Sequence, residues 1–199
     1  QPTTNNTFLY YTKEGITMAK ILVISGHPHM ERSIANKTIL DTLKASGKDI
    51  AIDDLAAKGC DIDVAAEQEA LKAADTIVFQ FPVYWFGYPA LLKHWVEEVF
   101  TPGFAYGEGA TGLKGKKLII SATIGAPQPA YSAQGIGHTM EEFFYNFQSM
   151  AGMTGMELQP LLLSYGCTFV PGVNTDADKE ALIAKAKEQG ETLLKALGE

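Results

Sequence analysis

Cysteine is scarce in this sequence. The 199 residues include only Cys60 and Cys167, which form no Cys-x-x-Cys pair and have no histidine at the spacing of a metal site. Neither a disulfide framework nor a zinc site is therefore expected. Such sparse cysteine usage fits a reducing cytoplasm, which is the expected location.

Positive charge and long apolar runs are also scarce. Sixteen Lys and Arg residues against 23 Asp and Glu residues give a formal net charge of -7. Nucleic acids and anionic membranes favour proteins with clustered Lys and Arg, so we expect no nucleic-acid partner. No apolar run approaches the roughly 18 residues of a spanning helix, so we expect no membrane span. Small molecules are the expected ligands.

Two common nucleotide fingerprints are missing as well. The sequence contains neither G-x-G-x-x-G nor G-x-x-x-x-G-K-[ST], the glycine-rich motifs of dinucleotide sites and P-loops. A mononucleotide phosphate held at a helix N-terminus needs neither motif and remains compatible with the sequence.

Apolar runs of strand length alternate with longer stretches of helical period, which predicts repeated βαβ units and a parallel sheet covered on both faces. The fold class is therefore α/β. Residues 1–17 show no periodicity and no signal-peptide pattern, so we expect a leader or an expression remnant outside the fold, with residues 18–199 as one domain. Strands are predicted at 20–25, 49–53, 76–81, 116–123 and 158–165, and helices near 33 and at 67–74, 90–100, 140–150 and 176–197.

The functional side chains should lie at the carboxyl ends of the strands, where open parallel sheets bind ligands. The loop after the first strand contains His27, Ser33 and Asn36 and leads into a helix N-terminus, which suits a phosphate. Ser33 is equally compatible with a simple N-cap role. His27 is expected to position the loop or to contact the ligand. His27 and His29 are also candidate metal ligands, but no third ligand lies at a suitable spacing.

The loop after the third strand, residues 82–89, groups aromatic side chains at the end of the most apolar strand. Aromatic rings beside a cleft supply flat apolar walls for a ring system. The alternative is that Trp85 and Phe86 make core or dimer contacts.

The loop after the fourth strand offers backbone donors and titratable groups. The N–H groups of Gly125 and Ala126 are placed to stabilise negative charge that develops on a ligand. Tyr131 and His138 are candidates for a proton relay, because both side chains can donate or accept a proton. A lone histidine in a glycine-rich loop is also typical of an ordinary surface residue.

One long run resembles a known family. The sequence FQFPVYWFGYPALLKHWVEEVF at residues 79–100 resembles the NAD(P)H:quinone oxidoreductases known as DT-diaphorases. That family includes the ancillary oxidoreductases of glutathione-gated bacterial potassium efflux systems. Gly-Phe-Ala-Tyr at 103–106 and Tyr-Ser-x-x-Gly at 131–135 also match. The resemblance covers nearly the whole chain from Met18 onward.

The resemblance implies a fold, an assembly and a reaction. The fold would be a flavodoxin-like three-layer sandwich with a five-stranded parallel sheet of order 2-1-3-4-5, in a homodimer with its sites at the subunit interface. NADH or NADPH would reduce a bound flavin and leave, and a quinone would then collect two electrons at once. Other implied roles are a regulatory subunit on a potassium efflux channel and an azo- or nitroreductase.

The resemblance also implies roles for individual residues. Gly137 stands where the mammalian-type members have their relay histidine, with His138 one place later, so a Tyr131–His138 relay does not follow directly. The chain ends soon after its last helix, like the bacterial members, which favours FMN as cofactor and leaves FAD as the alternative. The implied sites are a phosphate arm held by His27, Ser33, Ile34 and Asn36; a ring wall of Pro82, Val83, Tyr84, Trp85 and Phe86; a ring edge at Thr123, Gly125, Ala126 and Tyr131; and a substrate pocket of Trp85, Phe86 and the other subunit's Tyr106.

Overall fold

The computed structural model of the chain describes residues 9–12, 15–18 and 20–198. Strands β1 (Leu9–Thr12) and β2 (Gly15–Met18) form an antiparallel hairpin that is a sheet of its own. The sequence predicts that residues 1–17 lie outside the main domain. Residues 1–8 and 13–14 of this segment are not among the described residues. That expectation stays a prediction.

The main sheet is entirely parallel and has the order β4-β3-β5-β6-β7, with β8 also paired to β6. Counting β7 and β8 as one edge strand gives the predicted order 2-1-3-4-5. β5 is buried over all seven residues, as expected for a central parallel strand. The strands are β3 (Ile21–Ser25), β4 (Ile50–Asp54), β5 (Thr76–Pro82), β6 (Lys117–Thr123), β7 (Glu157–Leu158) and β8 (Leu162–Ser164).

The edge strand differs from its prediction as one continuous strand. Lys117 is opposite Glu157 and Ser121 is opposite Leu162, so the edge strand holds one extra residue between these two pairs. Pro160 lies within that interruption and has no N–H to donate to a ladder. The extra residue and the proline together divide the strand into β7 and β8.

Seven helices cover the two faces of the sheet in the described part of the chain. Side chains of Ile24, Phe79 and Ile120 pack on one face with α2 to α6. Val23, Val78 and Ile119 pack on the opposite face with α1 and α7. The helices are α1 (Ala35–Ala45), α2 (Leu55–Lys58), α3 (Val64–Ala73), α4 (Ala90–Val99), α5 (Met140–Phe143), α6 (Tyr145–Thr154) and α7 (Asp176–Ala196).

The helix predicted over 140–150 is in fact two helices that meet at Phe144. The Phe144 ring packs against Phe81 and Phe147, with centroid distances of 5.8 and 5.2 Å. The break lets Phe144 and Phe147 both reach Phe81 in the core. Among the described residues, none of the helices has the length and apolarity required to cross a membrane.

Candidate functional site

A cavity of about 640 Å³ opens at the carboxyl ends of β3, β5 and β6, the edge where parallel sheets bind ligands. Four loops, which follow β3, β5, β6 and β8, and the start of α7 surround it. Its lining residues are His27, Arg32, Ser33, Ile34, Ala35, Asn36, Pro82, Val83, Tyr84, Thr123, Gly125, Cys167, Thr168, Phe169, Pro171, Lys179 and Leu182.

His27 is a nearly buried lining residue, with 8% of its surface exposed. Its Nδ1 accepts a hydrogen bond from the His29 backbone N–H at 3.0 Å. Burial, reinforced by nearby His29, lowers the pKa of His27, so the neutral ring dominates at neutral pH. A neutral ring that accepts at Nδ1 carries its proton on Nε2. His27 therefore offers a single N–H donor to a ligand.

Ser33 ends the first loop at the beginning of α1. Its Oγ accepts the Asn36 backbone N–H at 3.1 Å, so the hydroxyl acts as a cap and keeps its own O–H available to donate. The cap role and a ligand role are therefore compatible. Arg32 and Lys179, from the first loop and from α7, add positive charge to the lining of the same cavity. The start of α1 contributes unpaired N–H groups and a positive dipole end.

Asn36 ties α1 to two strands. Its Nδ2 donates to Thr123 Oγ1 at 2.9 Å, and its Oδ1 accepts from Gln80 Nε2 at 2.8 Å. All three side chains are buried. Asn36 thus makes most of its side-chain hydrogen bonds within the protein and holds the residues at the bottom of the cavity in place. A direct contact with a ligand stays a prediction for this residue.

The second loop makes a two-residue hairpin turn. Tyr84 and Gly87 exchange both backbone hydrogen bonds, at 2.9 and 3.2 Å, around Trp85 and Phe86, which have φ of 47° and 67°. A turn with two positive φ values is the mirror-image type I′, which normally takes Asn and Gly. For L-residues this region costs about 1–2 kcal/mol each. Strained backbone of this kind is often found at functional sites.

The aromatic residues of this loop divide between the cavity and the surface. Pro82, Val83 and Tyr84 line the cavity. Trp85 is 92% exposed, and Phe86 stacks on Phe143 at a centroid distance of 4.9 Å. In the single chain the two residues at the tip are therefore outside the cavity lining, and their predicted contact with the ring stays a prediction.

The third loop is held close to the chain that follows β8. Ile124 N–H donates to Ser164, Cys167 N–H to Ile124, and Gly166 N–H to Ala126, at 2.8 to 3.0 Å. This pairing places Thr168 so near Gly125 that a Cβ on Gly125 would lie 2.7 Å from Thr168 Oγ1. Only glycine fits at this position without displacing Thr168, and a close approach of the Gly125 backbone to a ligand stays a prediction.

Tyr131 and His138 are not joined by a hydrogen bond in the described part of the chain. The Tyr131 ring packs edge-on against Phe86 and lies 5.9 Å from the Tyr165 ring. His138 Nδ1 lies 3.3 Å from Glu142 Oε2 on an exposed surface. Gly137 has a φ of 89°, a conformation that a histidine adopts only with strain. Neither residue is among those that line the cavity, and their predicted roles in catalysis stay predictions.

Tyr106 lies at a different place. It is 39% exposed and lines a groove between α4 and α6 with Phe100, Met150 and Met153. None of the residues that line this groove lines the cavity at the strand ends. The predicted role of Tyr106 therefore requires a second copy of the chain.

Of the fifteen residues predicted for catalysis, cofactor and substrate, the structure brings nine into the cavity lining. They are His27, Ser33, Ile34, Asn36, Pro82, Val83, Tyr84, Thr123 and Gly125. Sequence reasoning missed Arg32 and the lining from residues 167–182. Arg32 lies inside the loop that was predicted to bind a phosphate, so its positive charge could have identified it as a lining residue. No local pattern marks Cys167, Thr168, Phe169 or Lys179, because they reach the cavity only through folding.

Several known proteins are similar to this chain. The uncharacterized NAD(P)H oxidoreductase YrkL of Bacillus subtilis (strain 168) is 39% identical over 173 residues, which are 85% of this chain and 99% of YrkL. The glutathione-regulated potassium-efflux system ancillary protein KefF of Enterobacter sp. (strain 638) is 37% identical, over 87% of this chain and 95% of KefF.

Solved structures of related proteins are also similar to this chain. General stress protein 14 of Treponema denticola, in complex with FMN, has a TM-score of 0.79 at 31% identity and covers 89% of this chain and 99% of its own. A P. pentosaceus protein described as an NADPH-quinone reductase has a TM-score of 0.70 at 29% identity, over 85% and 97%. Residues 19–193 match the family described by its flavodoxin-like fold. This chain belongs to that flavodoxin-like family, together with relatives named as NAD(P)H oxidoreductases and KefF.

Proposed function

We propose that this protein is an FMN-dependent NAD(P)H:quinone oxidoreductase. The observation that carries the proposal is one cavity at the strand ends with two chemically different parts. One part combines the start of α1 and Ser33 with the cations Arg32 and Lys179, and the other has the flat apolar wall of residues 82–84. A phosphate fits the first part and a planar ring the second.

The residues present fit the mononucleotide cofactor. The Ser33 hydroxyl, the first N–H groups of α1 and the neutral His27 ring are all hydrogen-bond donors, as a phosphate or ribityl chain requires. Gly125 lines the cavity without a side chain, and a Cβ there would lie 2.7 Å from Thr168 Oγ1. FAD carries a second nucleotide half, and FMN is proposed because the bacterial members that this chain resembles often use it. The FMN complex of the Treponema denticola relative supports that choice.

A bound flavin would supply the two-electron chemistry, accepting a hydride from NADH or NADPH and passing both electrons to a quinone after the nicotinamide leaves. The protein binds and orients the cofactor and polarises its edge with the backbone N–H groups of Gly125 and Ala126. Tyr131 supplies a hydroxyl that has no hydrogen-bond partner among the described residues. NAD(P)H and the quinone would occupy the same pocket in turn, which is the ping-pong mechanism proposed for the reaction.

The assembly proposed is a homodimer, in which Tyr106 of one copy completes the substrate pocket of the other together with Trp85 and Phe86. The groove between α4 and α6 supports this assignment because it exposes apolar side chains, including Met153, 71% exposed. Apolar exposure of this kind is typical of an interaction surface.

The decisive experiment identifies the cofactor. Purified protein is denatured, and the absorption spectrum and mass of the released molecule are recorded. We expect the flavin absorption bands and the mass of FMN. Parallel lines in double-reciprocal plots at several quinone concentrations are then expected for the ping-pong reaction. A protein that releases no flavin and does not quench the fluorescence of added FMN would overturn the proposal.

The second candidate function is that of an ancillary subunit on a potassium efflux protein, favoured by the similarity to KefF. Co-purification with a membrane potassium efflux protein from the native organism would support it. The rate on a quinone compared with an azo dye and a nitroaromatic compound separates quinone reduction from azo- or nitroreduction.

A further inference from the structure

The hairpin turn at Trp85 and Phe86 requires something to hold it. Both residues have positive φ, and two backbone hydrogen bonds between Tyr84 and Gly87 close the turn. The same two hydrogen bonds close a type I′ turn made of Asn and Gly, which adopt positive φ at little cost. The bonds alone therefore do not explain why Trp85 and Phe86 adopt this conformation. Backbone in such a region persists only when its surroundings determine it.

Packing around the turn is confined to Phe86. Trp85 is 92% exposed, so its side chain contributes little packing. The Phe86 ring lies nearly parallel to Phe143, with centroids 4.9 Å apart and an angle of 22°. Tyr131 touches Phe86 only edge-on, at 6.5 Å. The stack on Phe143 is therefore the closest ring contact of the turn among the described residues.

Phe143 belongs to a firmly placed helix. α5 begins at a capping box in which Thr139 and Glu142 satisfy each other's backbone N–H groups. Met140 and Phe144, on either side of Phe143 in the chain, are buried in the core. Phe143 therefore offers a fixed surface to the tip of a loop whose base is held by the hydrogen bond from Val83 N–H to the Thr123 carbonyl, at 2.8 Å.

We propose that Phe143 is a positioning residue, which holds the Trp85–Phe86 turn and, through it, the wall at residues 82–84 of the cavity. Phe143 is uncharged and belongs to no recognised motif. The sequence predicts only that it lies in a helix. The consequence for flavin binding rests on the proposed function. The consequence for the turn itself does not depend on it.

The test uses four variants of the full-length protein. Phe143→Leu removes the stacked ring, and Phe143→Tyr keeps it. Phe86→Gly replaces the strained residue by one that adopts positive φ freely, and the fourth variant combines Phe86→Gly with Phe143→Leu. Tyr145→Leu, an exposed aromatic residue just beyond α5, serves as the matched control.

Two measurements are made on each protein. The first is the ¹⁹F spectrum of protein labelled with 5-fluorotryptophan, which has one resonance for exposed Trp85 and one for fully buried Trp95. The second is the FMN dissociation constant from flavin fluorescence. We expect Phe143→Leu to shift the Trp85 resonance, to leave that of Trp95 in place, and to weaken FMN binding about tenfold. Phe143→Tyr and Tyr145→Leu should match wild type in both measurements.

The double variant decides whether Phe143 acts through Phe86. In the Phe86→Gly background, Phe143→Leu should change FMN affinity less than about twofold, because the coupled pair is already broken. An equal loss in both backgrounds, or an unmoved Trp85 resonance in Phe143→Leu, would overturn the proposal. If wild type binds no FMN, the proposed function fails, while the Trp85 resonance of the flavin-free proteins still decides the role of Phe143.

Discussion

At the scale of single residues, Tyr131 is the side chain whose chemistry is easiest to isolate. Its hydroxyl has no hydrogen-bond partner in the described part of the chain, and its ring is fixed between Phe86 and Tyr165. A hydroxyl that is free in the resting protein matters most when charge develops nearby. Tyr131 is therefore suited to stabilise charge that develops during hydride transfer, and its loss should spare binding.

Tyr131→Phe is expected to slow flavin reduction by NAD(P)H about tenfold while the FMN dissociation constant stays unchanged. Stopped-flow absorbance of the bound flavin measures the first quantity and fluorescence the second. Tyr165→Phe, which removes a hydroxyl from the adjacent ring, is the matched control and should reduce at the wild-type rate. Equal rates for Tyr131→Phe and wild type would remove Tyr131 from the mechanism.

Lys179 provides a second residue-scale prediction, because this cation lines the same cavity as the start of α1. Lys179→Ala should weaken FMN binding about tenfold and leave riboflavin binding unchanged, since riboflavin lacks the phosphate. Titrations of the flavin-free protein with both ligands make the comparison. Lys185→Ala, on the same helix with its Nζ on the Tyr165 carbonyl, is the control. Equal losses for both flavins would contradict a phosphate contact.

At the scale of secondary-structure elements, a buried ionic cluster joins four of them. Asp53 of β4, Lys58 of α2 and Glu67 of α3 form salt bridges, and Trp95 Nε1 of α4 donates to Glu67 at 3.1 Å. Asp53 and Glu67 are 1% and 2% exposed. Two carboxyl groups beside one ammonium leave an excess of buried negative charge, which is costly when both are ionised.

The cluster should make stability fall as pH rises through neutrality. Burial, followed by the Glu67 carboxyl, raises the pKa of Asp53 from 3.8 to about 7. Between pH 4 and 7 the folded protein therefore binds more protons than the unfolded chain, and folding is favoured on the acid side. The contribution of Asp53 to the free energy of unfolding should drop by roughly 3 kcal/mol from pH 5 to 8.

Urea unfolding of wild type and Asp53→Asn between pH 5 and 8 tests this dependence. The difference between the two proteins isolates Asp53, because the lowered pKa of His27 contributes equally to both. Asp53→Asn should gain stability relative to wild type as pH rises. If the stability difference between the two proteins does not change with pH, Asp53 does not titrate in this range.

The contact between α1 and α7 depends on a glycine. A Cβ on Gly190 would lie 2.8 Å from Thr42 Cβ and 2.9 Å from its Cγ2. Gly190→Ala should therefore lower the free energy of unfolding by about 1–3 kcal/mol, as overpacking does. Gly152→Ala in α6, where a Cβ meets no atom within 4 Å, is the control. It should be neutral or stabilising by up to about 1 kcal/mol, and an equal loss at both positions would refute the contact.

At the scale of the whole molecule, the groove between α4 and α6 is expected to be the interface between two copies of the chain. Its exposed methionine, Met153, tests this with one substitution. Met153→Glu should convert a dimer into a monomer in sedimentation experiments and lower quinone turnover at least about tenfold, since each pocket would lose the partner's Tyr106. Val173→Glu, at a similarly exposed apolar side chain elsewhere, should remain dimeric. A monomeric wild type with full activity would contradict the proposed assembly.

Much of this architecture follows from local patterns. The uninterrupted apolar run of β5, the alternation of strand and helix lengths, and the loops at the strand ends are all readable from neighbouring residues. The observed strand order agrees with the order that the family resemblance implied. His27, Ser33 and residues 82–84 were found because ligand loops follow strands in a parallel sheet. The edge strand was predicted less well, since its extra residue becomes visible only against the register of β6.

The sequence alone therefore determined the fold class and three of the four loops that surround the cavity, because periodicity and turn chemistry act over a few residues. It also indicated the family, through the resemblance of residues 79–100 to known members. The tertiary structure alone decided which distant side chains meet there. Lys179 and Thr168 reach the cavity from far along the chain, Phe143 meets Phe86 across two elements, and Asp53 meets Glu67 and Trp95 inside the core. Such contacts depend on how whole elements pack, which no short stretch of sequence encodes.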